Sequence, residues 1–223
     1  MSGILRTLRL PAAGRAPTLM VLLPGAYMTP EQFVDAGFAE AVALPGGMLD
    51  LALPALDLAA ISDGSAVAAV HREIVVPARE QGYAQVWLGG ISLGGFLALA
   101  YAAEYRDAID GLCLLAPYPG SRITQAAIAA AGGLTAWQPE PAQLADPEFR
   151  VWRWLRQRPA AFPIYCGYGA DDRFAAGMAR LAATLPPAAV TCIAGGHEWP
   201  VWRLLWDHFL AGGWLTAPAS GEH

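Results

Sequence analysis

The run Val86-Trp-Leu-Gly-Gly-Ile-Ser-Leu-Gly-Gly-Phe96 constrains this chain more than any other stretch. Val86 to Leu88 carry no charge and read as a buried strand, whereas Phe96 to Tyr105 are rich in Ala and Leu and read as a helix. Four glycines, Gly89, Gly90, Gly94 and Gly95, surround a single hydroxyl, Ser92. Gly90-Ile-Ser92-Leu-Gly94 fits G-x-S-x-G between a strand and a helix, the context that gives this spacing meaning. A serine on so tight a turn projects its Oγ outward. Flanking glycines are needed because a Cβ there would strike neighbouring backbone, and the helix N-terminus near Leu93 favours developing negative charge. The spacings of a dinucleotide or Walker phosphate loop are absent. Ser92 is therefore a candidate nucleophile.

A strand that feeds a helix through such a turn belongs to an α/β architecture, and the rest of the chain follows that pattern. Strands are expected at Thr7–Leu10, Leu19–Leu23, Met48–Leu53, Gly111–Leu115, Phe162–Cys166 and Val190–Ile193. Leu19–Leu23 is continuously apolar, as in a strand buried on both faces of a parallel sheet. Helices are expected from Pro30 to Val42, from a Ser62 or Asp63 cap to Glu80 with Pro77 as a kink or an early end, over Phe174–Leu185 and over Trp199–Leu210. The alternation predicts a doubly wound, mostly parallel sheet flanked by helices, as one domain over residues 1–223, with residues 118–160 as a candidate lid and a loose tail after Gly213.

At 55% apolar and 15% charged, the chain has the composition of a folded core. Its net charge of −5 argues against nucleic acid as a partner. No apolar run reaches the length of a membrane span. Cys113, Cys166 and Cys192 each sit in an apolar strand-like run, which predicts buried free thiols in a reducing, cytoplasmic compartment. No Cys or His pair has metal-ligand spacing, and neither a metal nor a cofactor is expected.

A nucleophilic serine needs a base and an acid that orients it. His71 and His208 fall within helices and His223 is the last residue, whereas His197 lies in the loop after the last strand, behind Gly195-Gly196. His197 is the candidate base. The strand before it ends in Gly169-Ala-Asp171-Asp172, and only one of two adjacent acids can face the histidine. Spacing alone leaves Asp171 and Asp172 both open.

Gly90–Gly94, Gly169-Ala-Asp-Asp172 and Gly195-Gly-His197-Glu-Trp-Pro resemble the three catalytic segments of the α/β-hydrolase superfamily, above all its small serine carboxylesterases and thioesterases. The resemblance runs from Thr18 to Leu210. It implies the order nucleophile, acid, base, and its G-x-x-D pattern carries the acid role to Asp172. Leu22-Leu-Pro-Gly25-Ala-Tyr27 stands where that family often has His-Gly, with Pro24 in place of the histidine. By the same resemblance, the backbone N–H of Ala26 or Tyr27 joins that of Leu93 as an oxyanion site. The implied activity is hydrolysis of a small-molecule ester or thioester; an acyltransferase and a hydrolase-fold binding protein with a silent triad are the alternatives. The oligomeric state has no sequence signal. Arg150, Arg153, Arg156 and Arg158 interleave with Trp152 and Trp154, either as an anion-binding rim or, the reading favoured here, as a packed helix with solvated arginines. Trp199, Trp202 and Trp206 recur at helical spacing and are expected to pack the last helix on the core.

Overall fold

The computed structural model describes residues 5–43, 49–62 and 64–215. Seven strands form one sheet: β1 (Thr7–Leu10), β2 (Thr18–Leu23), β3 (Leu49–Pro54), β4 (Gln85–Ile91), β5 (Gly111–Leu115), β6 (Ile164–Gly169) and β7 (Val190–Ile193). Their order is β1-β3-β2-β4-β5-β6-β7, with every neighbouring pair parallel except β1 against β3. All strands but β1 therefore end on one edge, where the loops toward the helices gather.

The period-two alternation of β2 divides the core. Leu19, Val21 and Leu23 face one layer, with α3 (Ser65–Val70), α4 (Val76–Glu80), α5 (Leu93–Tyr105) and α7 (Pro147–Gln157). Met20 and Leu22 face the other, with α1 (Pro30–Asp35) and α9 (Trp199–Ala211). Of the remaining helices, α2 spans Leu58–Ser62, α6 Arg122–Ala130 and α8 Ala175–Ala182. Helix α5 is buried at every position from Gly94 to Ala102, because the sheet covers one side of it and α7 packs on another. In α9, Trp206 is fully buried and stacks on Phe38 and Phe209, Trp202 is buried beside it, and Trp199 packs edge-on against Phe33, Phe38 and Trp202. Among the described residues no helix is long and apolar enough to cross a membrane.

Several boundaries differ from the sequence expectation. The helix expected over Pro30–Val42 breaks at Gly37 (φ 85°) into α1 and a 3-10 segment, Phe38–Ala43, since a left-handed residue cannot continue a helix. Ser62 ends α2 rather than capping the next helix, which begins after Gly64 at φ 78°; Asp63 and Met48 lie outside the described residues. Pro77 does not end that helix early, since α4 runs on to Glu80. A π-turn over His71–Val75, in which Val76 N–H reaches back to the His71 carbonyl, widens the helix where the proline ring would meet the Glu73 carbonyl. β6 begins at Ile164 and runs on to Gly169, so its end lies closer to Asp172 than expected. Cys113 and Cys166 are buried, with burial pushing both thiols up, Cys166 to about 12. Cys192 is exposed, because β7 pairs only with β6 and forms the sheet edge. Trp214, beyond Gly213, packs against Trp87 and Tyr165 instead of trailing free, while residues 216–223 lie outside the described residues.

Residues 118–160 hold α6, a 3-10 turn (Pro141–Ala145) and α7. They are tied down at the N-terminal end of α6. Glu148 accepts hydrogen bonds from Ser121 N–H and Thr124 Oγ1, and the Trp152 indole donates to the Pro119 carbonyl. Arg150 donates to the carbonyls of Leu144 and Ala145, Arg156 to that of Trp137 and Arg158 to that of Thr184. Three of the four arginines thus serve as struts between backbone segments.

The tightest point of the fold is the crossing of α5 under the end of β2. A Cβ on Gly94 would lie 2.1 Å from the Leu23 carbonyl oxygen and 2.7 Å from that of Pro24, and one on Gly90 would lie 2.5 Å from the Gly94 carbonyl carbon. These obstacles are backbone, so no side chain can swing aside. Gly94→Ala is expected to cost about 3 kcal/mol or more, read as a large fall in the urea midpoint or loss of soluble protein. Gly14→Ala, which meets nothing within 4 Å, is the matched control; equal midpoints for the two variants would refute this account of the crossing.

Candidate active site

Ser92 stands between the last residue of β4 and the first of α5, at φ 54° and ψ −115°. A side-chain-bearing residue holds such a conformation only where its surroundings over-determine it. Here they do. Ser92 N–H donates to the Leu115 carbonyl (3.0 Å), and the Ser92 carbonyl accepts from Phe96 N–H (3.1 Å) and Tyr118 N–H (2.8 Å). Among the described residues, the three side-chain-bearing ones at positive φ, Tyr27, Ser92 and Ala116, follow β2, β4 and β5 on the same sheet edge.

Asp172 and His197 meet beyond the ends of β6 and β7. The Nδ1–H of His197 donates to Asp172 Oδ2 at 2.5 Å, and the other carboxylate oxygen accepts from Phe174 N–H at 2.8 Å. The Asp172 side chain is wholly buried and that of His197 is 15% exposed. With Nδ1 turned to the carboxylate, the lone pair of the ring lies on Nε2. Phe174 and Trp202 flank the imidazole edge-to-face, at 5.7 and 5.0 Å between centroids. Tyr118 packs on Phe174 in turn, and burial, with the Glu148 carboxylate next, raises its phenol above the ordinary value. Ser92 and His197 make no hydrogen bond to each other in this structure. Such bonds are often long in a ligand-free site and close only when substrate arrives.

Asp171 points elsewhere. Its carboxylate accepts from Gly195 N–H (3.0 Å) and its own N–H donates to the Gly195 carbonyl (3.0 Å), so it clamps the His197 loop from behind. A Cβ on Gly169 would lie 2.2 Å from that carbonyl oxygen, which is why the acid-bearing turn starts with glycine. Of the other histidines, His71 bonds the Tyr101 hydroxyl (2.8 Å) and stacks on Tyr105, and His208 is exposed on α9. His223 lies outside the described residues.

Ala26 and Tyr27, expected from the sequence as oxyanion donors, lie in the loop after β2. Met28 N–H closes a turn on the Gly25 carbonyl, while among the described residues no backbone carbonyl takes the N–H of Ala26, Tyr27 or Leu93. Gly25 packs close to the Ile91 carbonyl, so this loop lies against the end of β4. The sequence gives no sign that Phe174 and Tyr118 wall the site, and it marks Trp202 only as a core position. An aromatic residue two positions after an acid carries no pattern that separates a wall of the site from a core position. No group of three or more His, Cys, Asp or Glu is arranged to hold a metal among the described residues.

A family model described as alpha/beta hydrolase fold matches residues 63–161. No curated protein sequence matches the chain. Among solved structures, S-formylglutathione hydrolase from Staphylococcus aureus superposes with a TM-score of 0.62 at 14% identity, covering 90% of this chain and 82% of that one. A thermostable carboxyl esterase from Bacillus coagulans gives 0.62 at 12% identity, over 95% and 94% of the two chains. Est1E from Butyrivibrio proteoclasticus gives 0.60 at 17% identity, over 93% and 94%. At these identities the likeness is one of fold. Together with the sheet order, and with a family model that covers β4, α5 and β5, it gives this chain the α/β-hydrolase fold.

Proposed function

We propose that the protein is a serine hydrolase that cleaves a carboxylic ester or thioester of a small molecule through an acyl-enzyme on Ser92. One observation carries this reading. The same sheet edge presents a serine held at a strained dihedral in a glycine frame and a buried Asp172 bonded to a histidine whose second ring nitrogen is left with its lone pair. The hydrolase and esterase names of the neighbours support it.

In this mechanism Ser92 Oγ attacks the substrate carbonyl carbon as His197 Nε2 takes the hydroxyl proton. The carbonyl π electrons move onto oxygen. That oxyanion is held by the N–H of Leu93 with that of Ala26 or Tyr27, and the positive end of α5 adds to the stabilisation. Collapse expels the alcohol or thiol, which leaves with the proton from His197. Water, deprotonated by the same nitrogen, then attacks the acyl group and returns Ser92 to its resting state. Asp172 holds the ring in the tautomer this requires and stabilises the imidazolium. The chemistry needs side chains and backbone amides alone. Residues 118–160 act as the lid over this edge, and the Trp152 and Glu148 anchors favour a fixed cover.

A fluorophosphonate probe should label the wild-type protein at Ser92 and leave Ser92→Ala unlabelled and without esterase activity, with an unchanged melting temperature. Absence of labelling on folded wild-type protein would instead favour a hydrolase-fold binding protein with a silent triad. Competing alcohol or thiol acceptors added to the assay separate hydrolysis from acyl transfer.

The adjacent acids give a sharper test. Asp172→Asn removes the charge facing the imidazolium and allows the wrong tautomer, and kcat should fall by roughly 10⁴, as for the corresponding change in a serine protease. Asp171→Asn keeps an acceptor for Gly195 N–H and should cost less than about tenfold. Measured kcat values in the reverse order would move the acid role to Asp171.

A further inference from the structure

A cavity of about 780 Å³ opens between α6, α7 and α8, and no residue of the candidate active site lines it. Its floor is apolar, built from Ile128, Leu134, Trp152 and Leu155, and two guanidinium groups, Arg156 and Arg180, stand at its walls. Both arginines are bonded to neutral acceptors. Arg156 donates to the Trp137 carbonyl and Arg180 to the Gln125 amide oxygen (2.8 Å). Neither has a carboxylate partner among the described residues, and no acid lines the cavity. Two positive charges, Arg156 half-buried and Arg180 exposed, thus border a recess that Thr135 and Thr184 also line and that holds no acid.

We propose that this recess is a second binding site, for an amphipathic carboxylate. The apolar body lies along Ile128, Leu134 and Leu155 against the Trp152 ring. The carboxylate reaches the free N–H groups of Arg180 and Arg156, whose planar fork suits two carboxylate oxygens. The volume is within the range that holds a small organic ligand. Arg156 is thereby the one residue of the Arg- and Trp-rich segment that combines a structural bond with an anion-facing charge. None of Ser92, Asp172 and His197 lines the recess. Trp152, at its floor, donates its indole N–H to Pro119, and Pro119 adjoins Tyr118, whose N–H rests on the Ser92 carbonyl.

Isothermal titration of the intact protein with sodium decanoate, below its micelle concentration, tests the proposal. Saturable one-to-one binding is expected. It should weaken by at least about tenfold in Arg180→Glu, which reverses one of the two charges. Ala183→Trp, placed on an exposed wall position so that the new ring fills the recess, should weaken it similarly. Decyltrimethylammonium, with the same chain and opposite charge, should show no saturable heat. Circular dichroism establishes that both variants are folded. Equal binding of the two amphiphiles, no saturable binding of decanoate, or unchanged affinity in folded Arg180→Glu and Ala183→Trp would overturn the assignment.

Discussion

Everything at the working edge of this fold depends on one backbone contact, the passage of α5 under the last carbonyls of β2. Because Gly94 has no side chain, the helix can begin directly beneath Leu23 and Pro24, and the turn before it must be short. A turn that short forces Ser92 to a positive φ, a conformation that costs about 1–3 kcal/mol. The three backbone hydrogen bonds of Ser92, to Leu115, Phe96 and Tyr118, offset that cost by tying the turn to β5, to α5 and to the chain leaving the sheet. The turn that strains the backbone also leaves Ser92 half-buried rather than sealed in the core. Packing and candidate chemistry thus share a single cause.

The candidate acid and base, Asp172 and His197, are positioned by different means. Neither lies on a regular element; each hangs in a loop just past a strand. What fixes them is mutual bonding, since the buried Asp172 takes both the Phe174 N–H and the His197 ring. Edge-to-face contacts from Phe174 and Trp202 limit rotation of the imidazole, so helix α9 contributes to the orientation of His197 as well as to the core. Burial of the carboxylate strengthens its interaction with a developing imidazolium, because little water competes for it.

How much of this was legible in the sequence depended on how local the deciding physics is. β2 and β5 were readable because burial on both faces writes an unbroken apolar run. The glycine frame was readable because steric exclusion acts at the residue that shows it. The exposure of Cys192 was not, since strand order, a long-range property, decides that β7 is an edge. The break at Gly37 was masked by apolar residues that continue at helical spacing into the 3-10 segment. The π-turn before Pro77 answers to a clash between residues four apart, and nothing in composition distinguishes it from a kink. The residues alone left Asp171 and Asp172 equivalent. They diverge in three dimensions because the turn after Gly169 points one side chain at the imidazole and the other at the Gly195 amide.

That divergence makes the two loops mechanically inseparable. Asp171 and Gly195 exchange two hydrogen bonds, Gly169 fits beneath the Gly195 carbonyl with no room for a methyl group, and Ala170 N–H holds the Ile193 carbonyl at 2.7 Å. Displacing one loop therefore drags the other. For anyone transplanting or diversifying this edge, residues 169–172 and 193–197 form a single cassette: a foreign loop in one place inherits a partner shaped for its predecessor, and the alignment of acid and base is the first thing lost.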